Sequence, residues 1–250
     1  MFEEGFIEGD SLIHRLDPRI RWIVAATFSV VVAVADRFMA LIPALIISLI
    51  FIFLAKLSIQ KVLARLLIVN GFILFLWFML PFTTDGSPVF SFGPLTATKE
   101  GIHLAILITL KSNTIILALL ALTATMSVFT MGRALGDLHV PSKIVYLIFL
   151  TYRYIHVIHM EYRRLVKTLK IRGFSPRNNL HTYRTYAYLV GMLLVKSSDR
   201  AERVRAAMLC RGFQGKFYDL RDFELSVSDF VMMVLMLMSV SVIAMLQWIR

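Results

Sequence analysis

Apolar residues in this chain come in long runs, separated by basic or turn-forming stretches. Residues 20–35 are uncharged except for Arg21, 38–55 and 66–82 carry no charge, 102–131 carry only Lys111, and 230–249 carry none. A hydrocarbon core of roughly 30 Å needs about 20 helical residues, and shorter runs are tolerated at some cost. The pattern therefore predicts five membrane-spanning helices, with the first and third short enough to borrow flanking residues. A soluble protein rarely repeats such runs five times.

The stretch between the fourth and fifth runs, residues 132–226, follows another rule. From Tyr152 onward, Ile155, Ile158, Tyr162, Leu165 and Leu169 recur at steps of three and four, while Arg153, Arg163, Arg164, Lys167 and Lys170 fall largely elsewhere on the wheel. That spacing predicts an amphipathic helix with a basic face. It should stop at Gly173, with Pro176 just beyond. A second such helix is expected from Asp199, which with Glu202 resembles a capping box. Leu194, Ala201, Val204 and Met208 share one of its faces and Gly212 closes it. Between the two, "YRTYAYLVGMLLVKSS" reads as a further helix. The expected fold is an all-α integral membrane protein in three parts: membrane helices over 1–131, a cytoplasmic helical region over 132–226, and a last membrane helix over 227–250.

Composition sharpens this picture through its segregation. The chain is 58% apolar with a mean hydropathy of +0.74, yet its net charge is +11. Of its 27 Lys and Arg, 17 lie within 132–226. Others precede the first run (Arg15, Arg19, Arg21) or lie between the second and third (Lys56, Lys61, Arg65), whereas "TTDGSPVFSFGPLTATKE" after the third is nearly neutral. Basic loops mark the cytoplasmic side, so an amino terminus in the cytoplasm puts every basic loop there. The carboxyl terminus is then outside, with Arg250 a weak exception. The acidic start "MFEEGFIEGD" lacks the basic region and early apolar core of a secretory signal, so the first run is expected to remain as an anchor in a multi-pass prokaryotic cell-membrane protein. The single cysteine, Cys210, excludes an internal disulfide and a cysteine metal cluster.

Two segments end alike. "LKIRGF" fills 169–174 and "MLCRGF" fills 208–213, so Arg172 and Arg211 stand 39 residues apart. One reading is amphipathic helices on anionic membrane lipid, with Arg-Gly as ordinary C-terminal capping. A second is a pair of arginine pegs, since a fork-shaped guanidinium suits a groove of carboxylates or carbonyls. Two similar pegs suit a partner that is itself a dimer. Nucleic acid is set aside, because no recognised module appears and the positive-inside bias already explains the charge.

At these residues the sequence resembles the transmembrane T component of energy-coupling-factor (ECF) transporters, ATP-driven importers of vitamins and transition metals. The family carries two short Ala-Arg-Gly-like motifs at the ends of two cytoplasmic coupling helices. Here they read Ile171-Arg172-Gly173 and Cys210-Arg211-Gly212, neither with the Ala. "SLIHRLDPRIRW" at 11–22 resembles the family's amino-terminal signature, with Asp17-Pro18 opening the first long helix. "HVPSKIVYLIFLTYRYIHVIHMEYRRL" at 139–165 resembles the stretch leading into the first coupling helix, and "AMLCRGFQGKF" at 207–217 looks most like the cobalt-type, CbiQ-like branch. The resemblance implies a non-catalytic subunit without a cofactor or a metal site of its own. Arg172 and Arg211 would each enter one of two cytoplasmic ABC-type ATPase subunits, with Phe174, Phe213, Glu161, Glu202 and Arg153 in support. A separate CbiM-like membrane subunit, with a small CbiN-like subunit, would capture the metal.

Other polar residues carry weaker signals. His156 and His159, three apart, can ligate a metal, but their basic surroundings favour surface histidines. Glu161 and Glu202 are placed to pair with Arg164 and Arg205 at i+3. Lys111 and Asn113 lie inside the fourth run, where polar groups are costly; an interior hydrogen bond and contact with the substrate-capturing subunit are both open. The Met-rich "VMMVLMLMS" reads as adaptable packing rather than soft-metal binding. An intramembrane enzyme would need paired carboxylates or a nucleophile within the spans, and these are almost absent. A secondary transporter would show repeated spans or polar breaks at midplane, whereas the clear repeat here is in the basic region. A membrane scaffold stays open on sequence alone.

Overall fold

The computed structural model describes residues 11–92, 95–138, 140–214 and 227–248. The acidic start, residues 215–226 and the last two residues, Ile249 and Arg250, lie outside them. Nine helices and one small hairpin occur among the described residues: α1 (Leu12–Arg15), α2 (Pro18–Val34), α3 (Phe38–Ala55), α4 (Ile59–Thr83), β1 (Pro88–Phe92), β2 (Leu95–Thr98), α5 (Lys99–Leu122), α6 (Val128–Asp137), α7 (Ser142–Ile171), α8 (Leu180–Cys210) and α9 (Val227–Trp248). They divide into two compact units, Met1–Ala134 with Phe223–Arg250, and Leu135–Asp222.

The first unit is a helical membrane bundle. α3, α4, α5 and α9 are each long and apolar enough to cross a bilayer. The first of the five expected spans forms α2, which has 17 residues and falls just short of that length. The fourth expected span is shorter than its apolar run. α5 ends at Leu122, and Thr123–Ser127 interrupts the helix before α6 begins. At the break Thr123 and Thr125 turn their hydroxyls back onto the carbonyls of Leu119 and Ala121, a bond that Thr109 also makes within α5 and that bends a helix rather than ending it. Conversely, α4 begins at Ile59, seven residues before its uncharged run. The turn-rich stretch after it, expected as loop, holds the antiparallel β1–β2 hairpin.

Each element follows from its residues. Asp17 caps α2, its side chain accepting from the Arg19 amide at 2.8 Å, with Pro18 in the first turn. On α3, Ala40, Ala44 and Ser48 recur every four residues and are fully buried. Such small-residue stripes let helix backbones approach closely in membranes, and α3 packs most extensively along α5. Phe28 and Phe51 meet edge to face at 6.0 Å between α2 and α3. Val24, Val32, Leu41, Leu122 and Ile243 complete a core shared by α2, α3, α5 and α9. α4 lies along α5 but buries only Val62, Ile73 and Pro81. At its end Gly101 admits the chain: an added Cβ would fall 2.6 Å from the Leu80 carbonyl.

Several polar groups inside the spans are paired across helices. Asn70 and Asn113 exchange two amide hydrogen bonds at 3.1 Å, and the Trp77 indole donates to Thr109 at 2.9 Å. Lys111 reaches Asp36 at 2.7 Å and the Ala33 carbonyl at 3.0 Å. The two polar residues singled out in the fourth run are therefore interhelical ties.

The second unit is dominated by two long helices. α7 starts at Ser142, ten residues earlier than the amphipathic pattern suggests. α8 runs unbroken for 31 residues, so the expected middle helix and second amphipathic helix are one. Asp199 with Glu202 therefore does not begin a helix. Ser197, just before it, satisfies its hydroxyl on the Leu193 carbonyl at 2.6 Å within the helix, and Asp199 is exposed. The true cap is Asn179, whose side-chain oxygen accepts from the Thr182 amide at 2.9 Å and its hydroxyl at 2.7 Å.

Candidate functional site

The two Arg-Gly-Phe endings adopt the same structure. At the end of α7, the Gly173 amide donates to Lys170 at 3.0 Å and the Phe174 amide to Leu169 at 3.1 Å. At the end of α8, Gly212 donates to Leu209 at 3.0 Å and Phe213 to Met208 at 3.1 Å. These paired bonds define the Schellman motif, with glycine in the left-handed region just past the cap. Gly173 has φ +80° and Gly212 φ +76°. Arg172 and Arg211 are the cap residues themselves. The last helical residues, Ile171 and Cys210, are exposed, as are both arginines and both glycines.

α7 and α8 run antiparallel. The Tyr146 hydroxyl, near the start of α7, lies 3.6 Å from the Met208 sulfur near the end of α8. Midway, Lys196 bonds Glu161, which Arg164 also approaches at 3.5 Å. At the far end, Phe174 packs on His181 and Tyr186 with ring centroids 6.2 and 5.9 Å apart. Phe213 stacks on Tyr146 at 5.4 Å. Each terminal Phe thus lies against the beginning of the other helix. The arginines stand at opposite ends of the hairpin, roughly 40 Å apart given 1.5 Å of rise per residue.

Among the remaining sequence candidates, Glu161 is the one that joins the two helices. Its carboxyl is held below the usual carboxylate range, chiefly by the Lys196 hydrogen bond, which outweighs an opposing desolvation effect and is aided by the charges of Lys196, Arg164 and Arg200. The expected Glu161–Arg164 pair is present. Among the described residues no ion pair links Glu202 to Arg205; Glu202 is exposed on α8. Arg153 lies 5.8 Å over the ring of neighbouring Tyr154, away from both caps. His156 and His159 are exposed on α7, and no group of three His, Cys, Asp or Glu suited to a metal occurs among the described residues. The sequence did not single out Lys196, Tyr146 or Asn179. Only Asn179 had a local signal, as an Asn before a helical run.

The hairpin is thinly covered. α7 buries only Val145, and α8 only Thr182 and Leu189. An apolar groove of about 470 Å³ runs between them, lined by Leu150, Tyr154, Ile155, Ile158, Val204 and Met208 among others, with Arg200 and Arg205 at its edge. The unit therefore offers two rigid arginine ends and an open apolar face.

The family CbiQ, described as "Cobalt transport protein", matches residues 9–220. The chain belongs to the CbiQ family. Curated relatives support the same placement. The energy-coupling factor transporter transmembrane protein EcfT of Lactococcus lactis subsp. cremoris is 28% identical over 93% of this chain and 95% of its own length. EcfT of Streptococcus equi subsp. equi is 27% identical over 84% and 82%, and EcfT of Clostridium kluyveri 24% identical over 97% and 96%. This CbiQ-family chain is thus a transmembrane component of the energy-coupling-factor type. Both Arg-Gly ends fall inside the matched region.

Proposed function

We propose that the chain is the coupling subunit of an ATP-driven importer, and that Arg172 and Arg211 are its contacts to two cytoplasmic ABC-type ATPase subunits. The observation that carries this reading is the identity of the two helix ends. An arginine at the cap, a left-handed glycine and a folded-back phenylalanine recur at opposite ends of one antiparallel hairpin. One such cap needs no function. Two alike, roughly 40 Å apart by helix rise, suit two equivalent receptors better than one. A planar guanidinium held at a rigid helix end can donate bidentately into a groove of carboxylates or carbonyls.

In this reading, residues 132–226 form a cytoplasmic coupling region, the amino terminus lies in the cytoplasm, and residues 1–131 with 227–250 form the membrane part. ATP-driven closure moves the two ends. The hairpin passes that motion to a separate membrane subunit, of CbiM-like type with a small CbiN-like companion, that captures the cargo. Cobalt as cargo follows the family description; the chain itself performs no chemistry on ATP or metal.

The test compares wild type with Arg172→Glu, Arg211→Glu and the double variant in a co-expressed complex in sealed proteoliposomes. Retained ATPase subunits and uptake of cobalt are scored. Charge reversal at either end should release an ATPase or abolish uptake while the membrane part stays folded. Variants that keep their ATPases and still transport would reduce the twin ends to plain helix caps.

A further inference from the structure

Arg21 is the least expected charge in the membrane bundle. It sits on α2 and is only 4% exposed. Its Nη1 donates to the Thr125 hydroxyl at 3.1 Å, and that hydroxyl donates on to the Ala121 carbonyl at 3.0 Å. Thr125 lies in the interruption between α5 and α6, through which the chain leaves the membrane bundle for the helical hairpin. The contact therefore ties the first long helix to the point where the fifth stops.

The tie is incomplete in a specific way. Arg21 Nε is buried without a hydrogen-bond partner, and so is Asp17 Oδ2. Asp17, 5% exposed, precedes Arg21 by four residues, at the N-cap of the same helix. Its other oxygen caps α2. An unmatched buried donor and an unmatched buried acceptor of opposite charge, each destabilising on its own, thus lie at the start of the same helix. Thr125 offers a neutral partner across the bundle, and Asp17 a charged one on the same helix.

We infer that Arg21 is a positioning residue with two seats: on Thr125 it holds the α5–α6 interruption in the arrangement seen here, and on Asp17 it lets that interruption move. The two seats exchange by rotation of one side chain, with no change in the fold of α2. The link from this latch to transport rests on the coupling reading above; the latch itself does not.

The experiment is hydrogen–deuterium exchange of the full chain in phosphatidylethanolamine–phosphatidylglycerol nanodiscs, read over residues 121–131. Thr125→Val should speed exchange there by at least about fivefold, the effect of losing one buried hydrogen bond, and Thr125→Ser should restore it. Asp17→Asn alone should have little effect on this segment. Combined with Thr125→Val it should exceed the product of the single effects, because both seats are gone, and this excess should vanish with Arg21→Met. Independent, multiplicative effects, or an excess that survives Arg21→Met, would overturn the two-seat latch. If Arg21→Met does not fold, the Thr125→Ser rescue and the Asp17–Thr125 coupling decide alone. In a complex with the ATPase subunits, ATP should change exchange at 121–131 in wild type. If ATPases bind and ATP leaves this segment unchanged, the positioning role falls. If no ATPase binds wild type, the coupling reading falls while the first arm still judges the latch.

Discussion

Replacing Gly173 or Gly212 by Ala isolates the backbone contribution to the twin ends. Both glycines have positive φ, +80° and +76°, and an added Cβ at either meets no atom within 4 Å. Steric collision with neighbours therefore adds nothing, and the penalty is that of holding an L-residue in the left-handed region, about 1–2 kcal/mol. Asn tolerates that region better, so Gly→Asn should lose distinctly less than Gly→Ala. Relief comes by opening the last turn, which breaks the two capping bonds and frees the adjacent arginine. A penalty of about 1.4 kcal/mol corresponds to a tenfold rise in the open population. Hydrogen exchange over residues 168–174 and 208–213 measures this directly. The two sites serve as mutual controls, because their geometry is the same. Wild-type protection in both Ala variants would refute the reasoning, as would an Asn variant as open as Ala.

Three further outcomes follow from individual contacts. Glu161 has a depressed carboxyl pKa in the folded hairpin, so the stabilisation it gives is present above its unfolded value and is lost as pH falls through the folded value; α7–α8 label distances should broaden on acidification in wild type and be insensitive to pH in Glu161→Gln. The fully buried Thr114 hydroxyl has no partner, so Thr114→Val should stabilise the bundle by about 1 kcal/mol, seen as a raised thermal midpoint in detergent. Asn113→Leu leaves Asn70 without its reciprocal amide and should destabilise by about 0.6 kcal/mol, the mean for such interhelical bonds in membranes. The double Asn70→Leu/Asn113→Leu variant should recover most of that loss.

The spans were legible because length and charge exclusion are local properties of the sequence. Their ends were less so. The apolar run at 102–131 continues through the α5–α6 interruption, since the Thr and Ser residues there remain compatible with a hydropathy signal. The opposite error occurred at Asp199, where a capping pattern lies exposed in the middle of α8, whose cap is made by Asn179. Lys111 and Asn113 were visible as anomalies, but their partners Asp36 and Asn70 lie 75 and 43 residues away. No periodicity encodes such pairings.

The repeated Arg-Gly-Phe shows where sequence reading stops and geometry begins. Arginine before glycine at a helix end was readable as a cap, and both caps formed. The phenylalanines carried no signal beyond their repetition, yet they give the repeat its mechanical sense. Phe174, from the end of α7, lies on His181 and Tyr186 of α8; Phe213, from the end of α8, lies on Tyr146 of α7. Each arginine is thus separated by a single glycine from a ring seated on the opposite helix. A force applied at Arg172 reaches α8 through Phe174, and one applied at Arg211 reaches α7 through Phe213. With Glu161 and Lys196 closing the middle, neither helix can be displaced at its end without loading the other. In the coupling reading proposed above, a hairpin built this way would respond to two inputs as one body, the property that a single subunit driven from both ends requires.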